Sequence, residues 1–344
     1  MSQRFASHSP LLHQPMHNEM TTPPSAPPTL GPVPPQGSGP ESTTHYIFMG
    51  PNGLRAGWRL LIFATIVATP ILGIIFLQKA LGAQQNHQQP QMTPALAMLG
   101  DGILFLLFWF ASWIMTLIEG RTVGDYGLPA RKAFGKEFWL GAVIGFVAMS
   151  VLLVMLRVAG VFHFGSLALH GAALAKYAVL WGLAFLLVGF AEEFTTRGYA
   201  QFTLTTGIGF WPAAILLSAG FGSLHLGNHG EDWIGALGAG SAGFLFCFIL
   251  RRTGDLWMPI GVHAAWDWAE SFFYGVPDSG QVAPGHMLNP TFHGSKLLTG
   301  GSVGPEGSIL CFLVLALLWI FFHFWLPKAK YPNPAALDRK PHHL

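Results

Sequence analysis

Ala172-Ala-Leu-Ala-Lys-Tyr-Ala-Val-Leu-Trp-Gly-Leu-Ala-Phe-Leu-Leu-Val-Gly-Phe-Ala-Glu192-Glu193 carries a single charge, Lys176, before two adjacent carboxylates close it. At 1.5 Å per residue, a run of about 20 residues has the length needed to cross a hydrocarbon core of ~30 Å. A carboxylate at that depth costs roughly 2.5 to 3.5 kcal/mol on insertion scales, so it marks a functional site by default. The segment therefore reads as a membrane helix that ends in chemistry.

Similar apolar windows recur from Trp58 to Trp325, and the chain is 51% hydrophobic but only 10% charged. A soluble domain carries about 25% charged residues. The pattern predicts an all-α polytopic bundle of about eight membrane helices, near 57–78, 95–118, 138–160, 172–192, 210–227, 233–250, 257–274 and 307–326. The sixth, with Gly235-Ala-Leu-Gly-Ala-Gly-Ser-Ala-Gly243, is rich in small residues and is expected to pack at the bundle centre. The long Gly/Pro/Ser-rich loop from about 275 to 306 is expected to cover one mouth of the bundle.

Residues 1–50 are rich in Pro, Ser, Thr, Gln and His and show no hydrophobic period, so a disordered tail is predicted there. Residues 51–330 form the expected membrane domain, followed by a short tail at 331–344. The net charge of +2 gives no indication of a nucleic-acid partner. Cys247 and Cys311 both lie inside apolar segments and read as buried free thiols.

Lys and Arg near span ends stay on the cytoplasmic side. With eight spans, one set of end segments holds Arg55, Arg59, Arg121, Arg131, Lys132, Lys136, Arg197, Arg251, Arg252, Lys328, Lys330, Arg339 and Lys340. The opposite set holds only Lys79, Arg157 and Lys296. Both termini are thus expected in the cytoplasm, in a pattern that fits a bacterial inner membrane.

Three ionisable groupings fall on three apolar segments. Glu193 and Arg197 stand four residues apart with the acid first, the favourable helical order for an ion pair. Glu192 points about 100° away from that pair, and apolar surroundings suit a carboxylate to general-base work near neutral pH. Phe221-Gly-Ser-Leu-His225 lies in the fifth span, and His263-Ala-Ala-Trp-Asp267 puts an acid on the same face as a histidine in the seventh. Such an Asp can fix the tautomer of the imidazole, and either group can orient a water or stabilise an oxyanion.

Glu-Glu-x-x-x-Arg at 192–197, Phe-x-x-x-His at 221–225 and His-x-x-x-Asp at 263–267, in this order on separate helices, resemble the CPBP family of intramembrane proteases. This CAAX protease and bacteriocin-processing (Abi) family includes the type II CAAX prenyl endopeptidases. The resemblance covers roughly residues 95–275, and Arg121-Thr-Val-Gly-Asp-Tyr-Gly-Leu-Pro129 is similar to the family's lead-in. It implies that Glu192 activates the attacking water, His225 helps bind it, and His263 and Asp267 stabilise the oxyanion, with Glu193 and Arg197 in support. Relatives often carry Asn at the last position, and an Asp can donate to an oxyanion only when protonated. The implied partners are the lipid bilayer and a protein or peptide substrate, membrane-anchored in some relatives.

Two further functions compete: an ion- or proton-coupled transporter, and a non-catalytic membrane immunity or binding protein. The absence of inverted repeats and the grouping of polar residues in motif form count against the transporter. No His-Glu-x-x-His zinc motif occurs, and Ser223 has no base near it except His225 on its own helix. The cofactor reading is either none or one divalent metal, zinc, held by Glu192, His225 and His263, with His229 a loop residue four positions after His225.

Overall fold

The computed structural model describes residues 47–50, 53–82, 92–228 and 230–333, which belong to one compact unit. The predicted tail at 1–50 lies outside the described residues apart from 47–50, as do 334–344 of the C-terminal tail and His229.

Each of the eight apolar segments is helical. They are α1 (Ala56–Ala80), α2 (Pro94–Glu119), α3 (Lys136–Val158), α4 (Gly171–Arg197), α6 (Phe210–His225), α7 (Trp233–Thr253), α8 (Trp257–Asp267) and α9 (Ile309–Trp325), with α5 (Tyr199–Ile208) interposed after α4. Among the described residues, five stretches have the length and hydropathy to cross a membrane: α1, α2, α3, α4 together with α5, and α7. The eight predicted segments are thus all helical, five of them within stretches of spanning length and α6, α8 and α9 shorter. Outward faces carry residues such as Phe76, Leu99, Val143, Leu183, Ile215 and Phe324, all exposed. A surface this apolar is satisfied by lipid.

Local chemistry sets the helix ends. Thr93, Asp232 and Ser308 accept hydrogen bonds from the first free N–H groups of α2, α7 and α9. Gly120 and Gly254 close α2 and α7 in the left-handed conformation. Helix α4 ends at Arg197, and after a break at Gly198 (φ −79°, ψ −126°) the chain continues as α5.

Between membrane helices the water-driven hydrophobic effect is absent, so close packing holds them together. Helices α3 and α8 meet along a glycine seam. A Cβ placed on Gly145 would lie 2.0 Å from the Val262 carbonyl oxygen, one on Gly141 2.4 Å from that of Met258, and one on Gly261 2.2 Å from that of Phe138. Gly189 of α4 approaches α8 at Ile260 and Ala264, and Gly222 of α6 lies against the Ala236 carbonyl of α7. Helix α7 is the most enclosed of the five spanning stretches, 56% of its central window being buried, in keeping with its small-residue run. One buried apolar cluster joins α3, α7, α8 and α9, and a second joins α1, α2, α4 and α5.

At the edge of this second cluster Glu119, from the end of α2, accepts hydrogen bonds from Arg59 of α1 (3.1 Å) and Tyr126 (2.9 Å). Tyr199 of α5 donates to the other oxygen of the same carboxylate. This one buried acid ties three helices together.

The chain after α8 turns through a π-helical segment, Trp268–Tyr274, into the long loop. Within that loop β2 (Leu288–Phe292) pairs antiparallel with β1 (Phe162–Leu167), Phe162 opposite Phe292 and Leu167 opposite Leu288. Trp181 donates its indole N–H to the Pro284 carbonyl (2.9 Å), and the Met287 amide donates to the Phe272 carbonyl (2.7 Å). These bonds fasten the loop to α4 and to the π-helical segment.

Candidate active site

A cavity of about 200 Å³ lies among α2, α4, α6, α7, α8 and the loop. Glu192, His225, His263 and Asp267 all line it. Three helices thus deliver to one cavity the residues that the sequence places on three separate segments. Asp278, Ser279, Gln281 and Glu306 of the loop also line it, so the loop closes one side of the cavity, as its composition suggested.

His263 is 9% exposed and its ring stacks on Phe246, with centroids 5.0 Å apart and planes 18° apart. Its Nδ1 lies 2.8 Å from Glu193 Oε1. A carboxylate only accepts, so this nitrogen carries the proton and Nε2 is turned toward the cavity. Nε2 lies 3.6 Å from both Glu192 Oε2 and Asp267 Oδ2. Those separations exceed a direct hydrogen bond.

Glu193 is wholly buried, and its Oε1 also accepts from Arg197 Nη1 at 2.6 Å. The expected helical ion pair is present, but it does more than hold a helix end: the same oxygen fixes His263, which lies 70 residues further on. Arg197 in turn donates Nε–H to the Gly243 carbonyl (3.1 Å), and its guanidinium lies over Phe221 (4.8 Å) and Phe246 (5.3 Å). A Cβ on Gly243 would lie 2.4 Å from Arg197 Nη2, so this glycine of the small-residue run makes room for the cation. The orienting partner of His263 is therefore Glu193, while Asp267, one helical turn further on, faces the other nitrogen.

Breaking a buried ion pair by removing one charge costs about 3–5 kcal/mol. Glu193→Gln is accordingly expected to lower the thermal midpoint of the purified protein sharply, because Arg197 is left uncompensated. An unchanged midpoint would show that the pair carries no stability.

His225 is arranged differently. Its Nδ1 lies 2.9 Å from the Phe221 carbonyl, one turn back on α6. A carbonyl only accepts, so Nδ1 holds the proton and Nε2 keeps a lone pair on the cavity side. Glu192 is the more accessible of the two glutamates, its side chain 29% exposed against 0% for Glu193. Adjacent residues on one helix thus divide into a cavity-facing carboxylate and a buried, paired one.

Sequence reasoning missed three carboxylates of this cavity. Asp101 of α2, Asp278 and Glu306 line it, and Glu270 lies behind them. The signal was available, because a lone acid in or beside an apolar helix is as costly as Glu192. Burial pushes both Asp278 and Glu306 above the ordinary carboxylate range.

Among the described residues, the group whose ligand atoms all lie within 4.8 Å of one another is Glu270, Asp278 and Glu306. Glu192, His225 and His263 do not form such a group, whereas zinc ligands at about 2.0–2.2 Å must converge more closely than that. This donor set does not fit a preformed zinc site.

The fold and site together define a helical membrane protein with a buried glutamate–histidine centre. Residues 174–269 match the family described as Type II CAAX prenyl endopeptidase Rce1-like. The match runs from α4 into the π-helical segment and includes Glu192, Glu193, Arg197, His225, His263 and Asp267, while the lead-in at 121–129 falls outside it. It supports a CAAX-protease-like membrane protease in general terms. No curated protein and no solved structure matches the chain.

Proposed function

We propose that the protein is an intramembrane endopeptidase in which Glu192 activates water for attack on a peptide carbonyl. The observation that carries this reading is the convergence of Glu192, His225 and His263 on one cavity, with His263 held by buried Glu193. Water sits between Glu192 and the free Nε2 of His225. Glu192 removes one proton as the water oxygen bonds to the carbonyl carbon. His263 faces the resulting oxyanion from its Nε2 side, which donates when that nitrogen carries a proton, with Asp267 and Glu192 each 3.6 Å from it. The intermediate collapses as Glu192 passes its proton to the leaving nitrogen and the C–N bond breaks. The substrate is a protein or peptide presented at the bilayer, and both termini of the enzyme face the cytoplasm.

No step in this scheme runs through zinc. Purified protein treated with 1,10-phenanthroline is expected to keep its turnover, and elemental analysis to find far less than one zinc per chain. Activity lost with that treatment and restored by zinc alone would overturn the metal-free scheme.

The orientation has its own test. Reporter fusions after Leu344 are expected to report the cytoplasm, and insertions near Gly285 the opposite face. A C-terminus on the outside would contradict the inward bias of Lys and Arg.

A further inference from the structure

On the loop side of the proposed catalytic cavity, where Asp278 and Glu306 line it, three carboxylates come together from three parts of the chain. Glu270 projects from the π-helical segment, Asp278 from the start of the loop and Glu306 from its end, with one oxygen of each within 4.8 Å of the others. The Trp266 indole N–H is shared between Glu270 Oε2 (3.1 Å) and Glu306 Oε1 (3.0 Å), and Ser271 Oγ donates to Asp278 Oδ2 (2.9 Å). These donors fix one oxygen of each acid.

Glu270 is completely buried, and its second oxygen, Oε1, has no hydrogen-bond partner. Among the described residues, no lysine or arginine forms an ion pair with any of the three. Leaving a buried carboxylate oxygen without a partner is expensive, and crowding two further acids against it adds repulsion.

We propose that Glu270, Asp278 and Glu306 form a binding site for one divalent cation of the calcium type, separate from the glutamate–histidine centre. Carboxylate oxygens are hard ligands, which favour calcium or magnesium over zinc. A spread of up to 4.8 Å suits metal–oxygen bonds of about 2.3–2.6 Å better than the ~2.1 Å bonds and strict octahedron of magnesium. The outer hydrogen bonds from Trp266 and Ser271 are the kind that orient metal-binding carboxylates. The bound ion joins both ends of the loop to the π-helical segment that directly follows Asp267. It thereby holds closed the side of the cavity that the loop forms.

The test is direct binding of radioactive Ca²⁺ to the full-length protein in lipid nanodiscs at neutral pH, which does not depend on protease activity. One Ca²⁺ per chain is expected, with affinity at least about ten-fold weaker in Glu270→Gln and in Asp278→Asn. Calcium should raise the thermal midpoint of the wild type. Glu270→Gln alone should melt higher than the wild type when both are calcium-free, because one crowded charge is gone, and its midpoint should not respond to calcium. No saturable binding by the wild type up to millimolar Ca²⁺ would overturn the proposal, even if a variant failed to fold. So would equal binding by wild type and variants. A wild-type midpoint that rises on acidification yet ignores calcium would show that protons, not a cation, neutralise the triad.

Discussion

Replacing Glu192 by Gln is expected to abolish peptide cleavage while leaving expression and melting almost unchanged. The amide has nearly the same shape, so packing around α4 is retained, and the partly exposed side chain stands 3.6 Å from His263 Nε2, too far for a direct hydrogen bond that the change would break. What is lost is the group that accepts the proton of water. General-base catalysis contributes roughly 10²- to 10⁴-fold in rate, and a loss of that order is expected. The contrast with Glu193→Gln is informative because the two residues are adjacent: one change removes turnover at constant stability, the other removes stability. Near wild-type turnover in Glu192→Gln, measured on the same substrate, would show that the base is another residue.

The second large effect is structural and comes from a residue with no polar chemistry. Gly145→Leu is expected to leave no monodisperse folded protein after purification in detergent. The first side-chain atom alone would stand 2.0 Å from the Val262 carbonyl oxygen. The obstacle is backbone, so a rotamer change cannot relieve it. Helices α3 and α8 would have to separate along the whole seam formed by Gly141, Gly145 and Gly261, giving up the close approach that replaces water-driven burial inside a membrane. Overpacking of ordinary cores costs about 1–3 kcal/mol and sometimes more; separating two backbones lies at the upper end. His263 follows Val262 directly, so any protein that survived would carry a displaced imidazole and cleave poorly. A Gly145→Leu protein with unchanged melting and turnover would mean that the seam is not as tight as described. Gly57 has nothing within 4 Å of its added Cβ and provides the matching control.

The helical architecture was legible because membrane crossing imposes one length and one composition on every span, and each apolar run did become a helix. Span by span, the lengths were less legible. The runs at 210–227 and 257–274 fold as the 16-residue α6 and as the 11-residue α8 continued by a π-helical segment. Local pairs in the site were readable for the same kind of reason: four-residue spacing places Glu193 beside Arg197 whatever the tertiary fold. Contacts between helices were not readable. Glu193 meets His263 because Gly189 lets α4 approach α8, and nothing in either motif encodes that juxtaposition. Asp267 shares a helical face with His263, as its spacing requires, yet tertiary packing gives the nearer nitrogen to Glu193. Asp101, Asp278, Glu270 and Glu306 each stand alone in sequence and acquire meaning only when the loop folds back over the cavity.

The most direct test of peptide hydrolysis at the glutamate–histidine cavity is to reconstitute the purified protein in lipid with a panel of membrane-anchored peptides and identify products by mass spectrometry. Cleavage at a defined bond is expected, with one water added across it, and it should disappear in both Glu192→Gln and His263→Ala proteins that remain folded. If no peptide in a broad panel were cut, and the same liposomes instead showed an ion flux that Glu192→Gln abolished, the cavity would be a transport site and the protease assignment would be contradicted.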